Sequence, residues 1–151
     1  MSTHGATYLT RSPEETQALA QKIARKLPLG SLVCLFGSMG SGKTVFVRGL
    51  AKGLKLPGHV QSPTFTLIRE YGSPKGTMYH MDLFRLQAKD ISSLGLEEFL
   101  APRKGWTVIE WPERIRRLLP YERLDIRLKI IDSRSREIRV DKSTRIRSPH
   151  G

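Results

Sequence analysis

Cysteine is nearly missing from this chain: Cys34 is the only one. No intramolecular disulfide can form. The four histidines are scattered at positions 4, 59, 80 and 150, so no Cys/His spacing suits a zinc site. Long apolar runs are missing too. Nothing approaches the ~20 residues a bilayer-crossing helix needs, and Met1-Ser2-Thr3-His4-Gly5 lacks the apolar core of a secretory leader. A disulfide scaffold, a zinc module and a helical membrane protein are excluded, and the expectation is a cytoplasmic protein with no membrane partner. Negative charge is also scarce: 14 Asp and Glu stand against 26 Lys and Arg, a net +12. From Pro112 onward there are 12 basic and 6 acidic residues, so half the excess lies in that final stretch. Such a surplus suits polyanions, and it serves equally as a well-solvated surface.

What is present is concentrated in one segment. Residues 37–44 read Gly37-Ser38-Met39-Gly40-Ser41-Gly42-Lys43-Thr44, a complete GxxxxGK[ST] phosphate-binding pattern. The apolar run Leu32-Val33-Cys34-Leu35-Phe36 precedes it, and a stretch of helical periodicity follows from Val45. That context is what the chemistry requires. A strand delivers the chain to a tight turn, glycines let backbone amides face a phosphate, and the turn opens a helix whose first N–H groups and dipole favour an anion. Lys43 would reach the β- and γ-phosphates, and the Thr44 hydroxyl would bind magnesium. Cys34, in the middle of the apolar strand, reads as a buried, inert thiol.

The rest organises around that unit. Ala6–Thr10 predicts a short strand. Ser12-Pro13-Glu14-Glu15 predicts a helix start with a capping box, and Leu19, Ile23 and Leu27 give that helix one apolar face. Residues 31–36 predict a central parallel strand covered on both sides. After the loop, Phe46, Val47, Leu50, Ala51 and Leu54 share the inner side of the second helix. Segments 64–71 and 77–83 flank Gly72-Ser73-Pro74-Lys75-Gly76 and predict a hairpin. Helices are expected over 91–100 and 112–119, a short strand over 106–110, and a second hairpin from 124–131 and 137–140. The expectation is one domain over 1–142 with a flexible basic tail over 143–151. We see no internal repeat, heptad array or low-complexity linker.

A phosphate loop needs carboxylates to hold magnesium and arrange water. Trp106-Thr107-Val108-Ile109-Glu110 is a strand ending in an acid, the form of a Walker B element. Tyr79-His80-Met81-Asp82 has the same character, with Asp82 near a strand end. Ser62-Pro63-Thr64-Phe65 sits where many such NTPases carry a switch segment whose hydroxyl can join the metal. Trp111, directly after Glu110, is either packed or the wall of a pocket or partner surface. His80 reads as a hydrogen-bonded core residue. Arg85, Arg103 and Arg114 are all available as a cation for transferring phosphate, as is an arginine from a partner.

The loop, Ser62–Phe65, Tyr79-His80-Met81-Asp82-Leu83-Phe84-Arg85, Leu94-Gly95-Leu96-Glu97-Glu98-Phe99 and Ile109-Glu110-Trp111-Pro112-Glu113 occur in an order and spacing that resembles the TsaE family. These are the small ATPase subunits of bacterial threonylcarbamoyladenosine tRNA modification. The resemblance runs from about residue 12 to 140. It implies an α/β P-loop NTPase-like fold with a largely parallel central sheet, flanking antiparallel strands and helices on both faces. It also implies slow hydrolysis of Mg-ATP and partnership with TsaB- and TsaD-type proteins that act on the adenosine beside the anticodon, so that tRNA contact is indirect. Carried over by position, residues 37–45 including Val45 bind nucleotide, with Thr16 and Arg136 nearby. Thr44, Glu110 and Thr64 are the magnesium residues, Asp82 and Glu110 the catalytic acids, and Trp111 a pocket or partner residue. Two departures stand out: Ser38-Met39 occupies the place of an acidic residue followed by Leu, and Phe84 replaces a common tyrosine. A small-molecule kinase on the same fold, or a basic RNA-binding module, are the competing readings. The first lacks a lid insertion after Glu110, and the second leaves the loop and its carboxylates unexplained.

Overall fold

In the computed structural model, which describes residues 2–58, 60, 67–102 and 104–144, the chain opens with strand β1 (Ser2–Thr10) and helix α1 (Pro13–Ala24). Strand β2 (Leu32–Phe36) and helix α2 (Lys43–Gly53) bracket the phosphate-binding motif. Strands β3 (Ile68–Ser73) and β4 (Gly76–Asp82) form the first expected hairpin. Gly72, Ser73 and Gly76 pair within the ladder, however, so the connection is Pro74-Lys75 rather than residues 72–76. Positions 64–66 of the expected first strand lie outside the described residues. A 3-10 helix (Ala88–Ser93) and the single turn α3 (Glu97–Leu100) lead to β5 (Gly105–Glu110). A second 3-10 helix (Pro112–Leu118) precedes the hairpin β6 (Arg123–Ile130) and β7 (Arg136–Thr144). The strands make one seven-stranded sheet in the order β1-β7-β6-β2-β5-β4-β3. Its centre, β6-β2-β5-β4, is parallel, and antiparallel strands flank it on both sides. This is the expected P-loop NTPase-like α/β architecture.

The apolar run of β2 is buried on both faces, and its two-residue period sorts the core. Val33 and Leu35 point to the side covered by α1 and α2, where Phe46, Val47 and Leu50 are fully buried. Leu32 and Cys34 point to the other side, among Met81, Leu83, Leu96 and Ile109. Each of these large side chains adds about 1.5–3 kcal/mol through burial. Burial pushes the Cys34 thiol up to about 12, with Asp125 adding to the effect, which leaves it the inert thiol expected. Helices α1 and α2 meet closely because Gly49 and Gly53 face Ala20 and Ala24. A Cβ at Gly49 would lie 2.4 Å from the Gln17 carbonyl oxygen and 2.6 Å from Ala20 Cβ. The cap of α1 is as predicted in its first half: the Ser12 hydroxyl accepts from Glu15 N–H at 3.1 Å. The reciprocal half differs, since the Glu15 carboxylate accepts from Arg11 N–H, one residue earlier than a capping box requires.

Several expected elements change. The first strand begins at Ser2 rather than Ala6, because β7 runs on to Thr144 and pairs with the added residues. Backbone ladders extend the strand where the side chains carry no alternation. For the same reason Ser143 and Thr144 belong to β7 and not to a tail; residues 145–151 lie outside those described. The helix expected over 91–100 is two short pieces, interrupted at Gly95 with φ of +60°. The one expected over 112–119 is a 3-10 helix interrupted at Ile115. Helices therefore cover both faces as expected, but the long ones, α1 and α2, cover only one, the other being covered by 3-10 helices and the single turn α3. No helix of the described residues is long and apolar enough to cross a membrane.

Candidate nucleotide site

Between β2 and α2 the chain turns through Gly40 and Gly42, whose φ angles of +78° and +101° lie in the left-handed region that favours glycine. Gly42 is the cap of α2, and no side chain caps that helix. Its first-turn amides, at Lys43, Thr44 and Val45, therefore face the loop's hollow without an intrahelical acceptor, as an anion site requires. The loop's carbonyls are satisfied from behind. Lys43 Nζ donates to the Gly37 carbonyl at 2.7 Å. Arg136 Nε donates to the Ser41 carbonyl at 3.0 Å and Nη2 to that of Gly40 at 3.1 Å, while Nη1 holds the Asp132 and Ser135 carbonyls at 2.8 Å. Two oxygens that would repel a phosphate are thus turned onto a guanidinium, and β7 is tied to the loop.

Strand register brings the acids to that loop. Leu35, two residues before the loop, pairs with Glu110, and Glu110 pairs with Asp82, so both carboxylates stand at the carboxyl ends of adjacent parallel strands. Ligands of open α/β sheets bind at that edge. Leu83 N–H donates to the Glu110 carbonyl at 3.0 Å, locking the two strand ends together. Glu110 is buried, and its Oε2 lies 2.7 Å from Nε2 of fully buried His80. Asp82 Oδ1 accepts from Phe84 N–H at 3.0 Å. Burial raises the Asp82 carboxyl above its ordinary value; the Phe84 bond opposes this and the charge of Glu110 adds to it. Burial lowers the Lys43 ammonium, against the pull of Glu110, Asp82 and Glu113. Lys43 Nζ also lies 3.9 Å from the ring centroid of Trp111, which packs on Phe84 with centroids 5.0 Å apart. Trp111 takes a left-handed φ of +60°, strained for a non-glycine residue, at the turn that ends β5.

These groups border a cavity of about 450 Å³. Of the residues expected from the sequence, Thr16, Met39, Gly40, Gly42, Lys43, Thr44, Val45, Asp82, Glu110, Trp111 and Arg136 line it. Gly37, Ser38 and Ser41 do not: Gly37 and Ser38 lend their carbonyls to the loop's own bonds, and Ser41 is buried beneath it. The Thr16 hydroxyl is already engaged, 2.7 Å from that of Thr10. Thr64 and the whole Ser62–Phe65 segment lie outside the described residues, as does Arg103. Arg85 is in the cavity wall and Arg114 is not. Sequence reasoning missed Pro13, Phe84 and Arg134 as wall residues. Arg134 sits in what reads only as a hairpin turn, and its approach depends on β7 docking on the loop through Arg136. The chemistry available is that of an anion cradle, four cationic side chains (Lys43, Arg85, Arg134 and Arg136) and two acids bordering one hollow.

A family model described as threonylcarbamoyl adenosine biosynthesis protein TsaE matches residues 10–138. A Bacillus subtilis protein named tRNA threonylcarbamoyladenosine biosynthesis protein TsaE is 40% identical over 131 residues, covering 87% of this chain and 82% of that protein. Its namesake in Aquifex aeolicus is 39% identical over 134 residues, covering 87% and 92%. Among solved structures, Bacillus subtilis YdiB superposes with a TM-score of 0.81 at 34% identity, covering 95% of this chain and 89% of that one. This chain belongs to the TsaE family.

Proposed function

We propose that this chain binds and slowly hydrolyses Mg-ATP to support threonylcarbamoyl modification of tRNA adenosine beside the anticodon, acting with TsaB- and TsaD-type partners. The observation that carries the reading is the meeting of the uncapped α2 terminus with Lys43, Asp82 and Glu110 at one cavity, in a chain of the TsaE family. The Thr44 hydroxyl and the free oxygen of Glu110 are hard donors of the kind magnesium takes, so these residues fit that ion; Thr64 is the third donor implied by family resemblance. When bound, magnesium supplies charge neutralisation for the phosphates. Lys43 trades its bond to the Gly37 carbonyl for a phosphate oxygen, and the α2 amides hold the others. Asp82, raised by burial and oriented by Phe84 N–H, holds the attacking water and draws on its proton. Ser38-Met39 leaves the loop without the acid common at this place, in keeping with slow turnover that depends on partners.

The test is reconstitution. The purified chain, with and without a TsaB–TsaD pair, is supplied with Mg-ATP, and both phosphate release and threonylcarbamoyl incorporation into tRNA are measured. Release to water that rises with the partners, and incorporation that needs this chain, is the expected result. Transfer of phosphate to a small acceptor would favour a kinase instead. Salt-sensitive tRNA binding with no nucleotide affinity would favour an RNA-binding module.

A further inference from the structure

We infer that His80 is a positioning residue for Glu110: by donating Nε2–H to Oε2 it fixes the carboxylate in the wall of the nucleotide cavity and leaves the other oxygen, Oε1, for the metal. The inference rests on the functional reading above and goes beyond it in assigning what sets the metal-binding acid in place. His80 lies on β4 two residues before Asp82, and its pairing partner is Val108, two residues before Glu110. Its ring therefore shares the sheet face of both acids, and it reaches diagonally to the end of β5. The contact is 2.7 Å, with His80 fully buried and Glu110 nearly so.

The second nitrogen identifies which atom carries the hydrogen. Nδ1 is buried and has no hydrogen-bond partner among the described residues. With the hydrogen on Nε2, only a lone pair is left unpaired at Nδ1. The opposite tautomer would strand an N–H there and would need Glu110 to donate, which a carboxylate cannot do. An imidazole selected only for packing would leave both nitrogens indifferent to Glu110. Here one nitrogen is spent on the acid and the other on nothing.

Two measurements on the full chain test this. The first needs no nucleotide: imidazole 15N shifts should report a protonated Nε2 and a bare Nδ1, and the Nδ1–H tautomer would overturn the inference. The second is the magnesium concentration needed for nucleotide binding. His80→Leu should raise it about tenfold, as loss of a partner to a metal ligand typically does, while magnesium-free nucleotide binding stays within about twofold. His80→Gln, whose amide can donate to the same oxygen, should recover most of the loss. An unchanged magnesium requirement in folded His80→Leu, or equal impairment in both variants, would overturn the inference. Failure of the wild-type chain to bind Mg-ATP would instead overturn the functional reading and leave the tautomer result to stand by itself.

Discussion

Helix α1 separates two hollows. Along one flank, with β1, β7 and the segment before β2, it walls a cavity of about 920 Å³; near its N-terminus, Pro13 and Thr16 border the one of about 450 Å³ beside the loop. The larger is lined by aliphatic side chains such as Leu19 and Ile23 and by Lys22, Lys26 and Lys142, which are exposed and form no ion pair with the described residues. Those three lysines are solvated, whereas Arg123 in the same wall is held by Asp125 at 2.9 Å. In the smaller, Arg85 and Arg134 are exposed at the wall, but Lys43, Asp82 and Glu110 are buried or half-buried and hold fixed bonds, and the acids act on the protonation of Lys43 and Asp82. On the proposed function the smaller of the two is the site, which volume alone would not single out. Convergence of desolvated charge on an unsatisfied helix terminus is what separates a site from a groove.

The sharpest way to break that comparison is Asp82→Asn. If Asp82 draws on the attacking water, the variant should keep ATP affinity within about threefold while turnover falls about 100-fold, the scale of a lost general base. Single-turnover hydrolysis beside equilibrium binding measures both. A loss of binding with unchanged turnover per bound nucleotide would move Asp82 from the water to the ground-state complex. Lys43→Ala should give the next largest effect. On the proposed function it removes the cation that would face the phosphates, and one charge-assisted contact is worth about 1.5–3 kcal/mol, so ATP affinity should fall at least about tenfold. Titration calorimetry checks it, with the thermal midpoint confirming that the variant folds.

Much of this was legible in the sequence, and what was not has a physical cause. The loop, both carboxylates and the α2 inner face are set by local chemistry and spacing, so Lys43, Thr44, Asp82 and Glu110 could be named directly. Their mutual placement could not, because strand order and the Asp82–Glu110 pairing are non-local. Residues 88–100 and 112–118 are apolar at helix-like intervals, yet Gly95 and Ile115 break them, and tertiary packing prevails over that weak local preference. The role of Arg136 in holding the loop carbonyls depends on a partner nearly a hundred positions away in the chain. His80 could be read as a hydrogen-bonded core residue, but its partner only emerges once β4 and β5 are adjacent.

A smaller effect concerns stability. Burial raises the Asp82 carboxyl, so the folded chain holds that proton more tightly than the unfolded chain does. Its ionisation therefore opposes folding: the contribution is absent below the ordinary carboxylate value and grows as pH rises through the folded one. Asp82→Asn should be more stable than wild type at neutral pH, with a rise on the order of 2 °C in Tm, and the gain should vanish in acid. A variant that is less stable at pH 7 would mean the Phe84 bond outweighs the desolvation.

The smallest expected effect lies across α1. Reversing Lys22 and Lys26 to Glu removes four units of positive charge from a net +12, all from the wall of the larger cavity. If the nucleotide site works by short-range contacts with buried groups, ATP affinity should change by less than about twofold at physiological salt, where exposed charges are screened over ~8 Å. At low salt the same variant should bind ATP somewhat more weakly, because the surface field that gathers an anion is reduced. Comparing the two ionic strengths separates the terms: a loss that disappears with salt is the field, whereas a loss that persists means the flank of α1 is coupled to the loop. The latter result would make the two hollows parts of one device and would undo the contrast drawn from their chemistry.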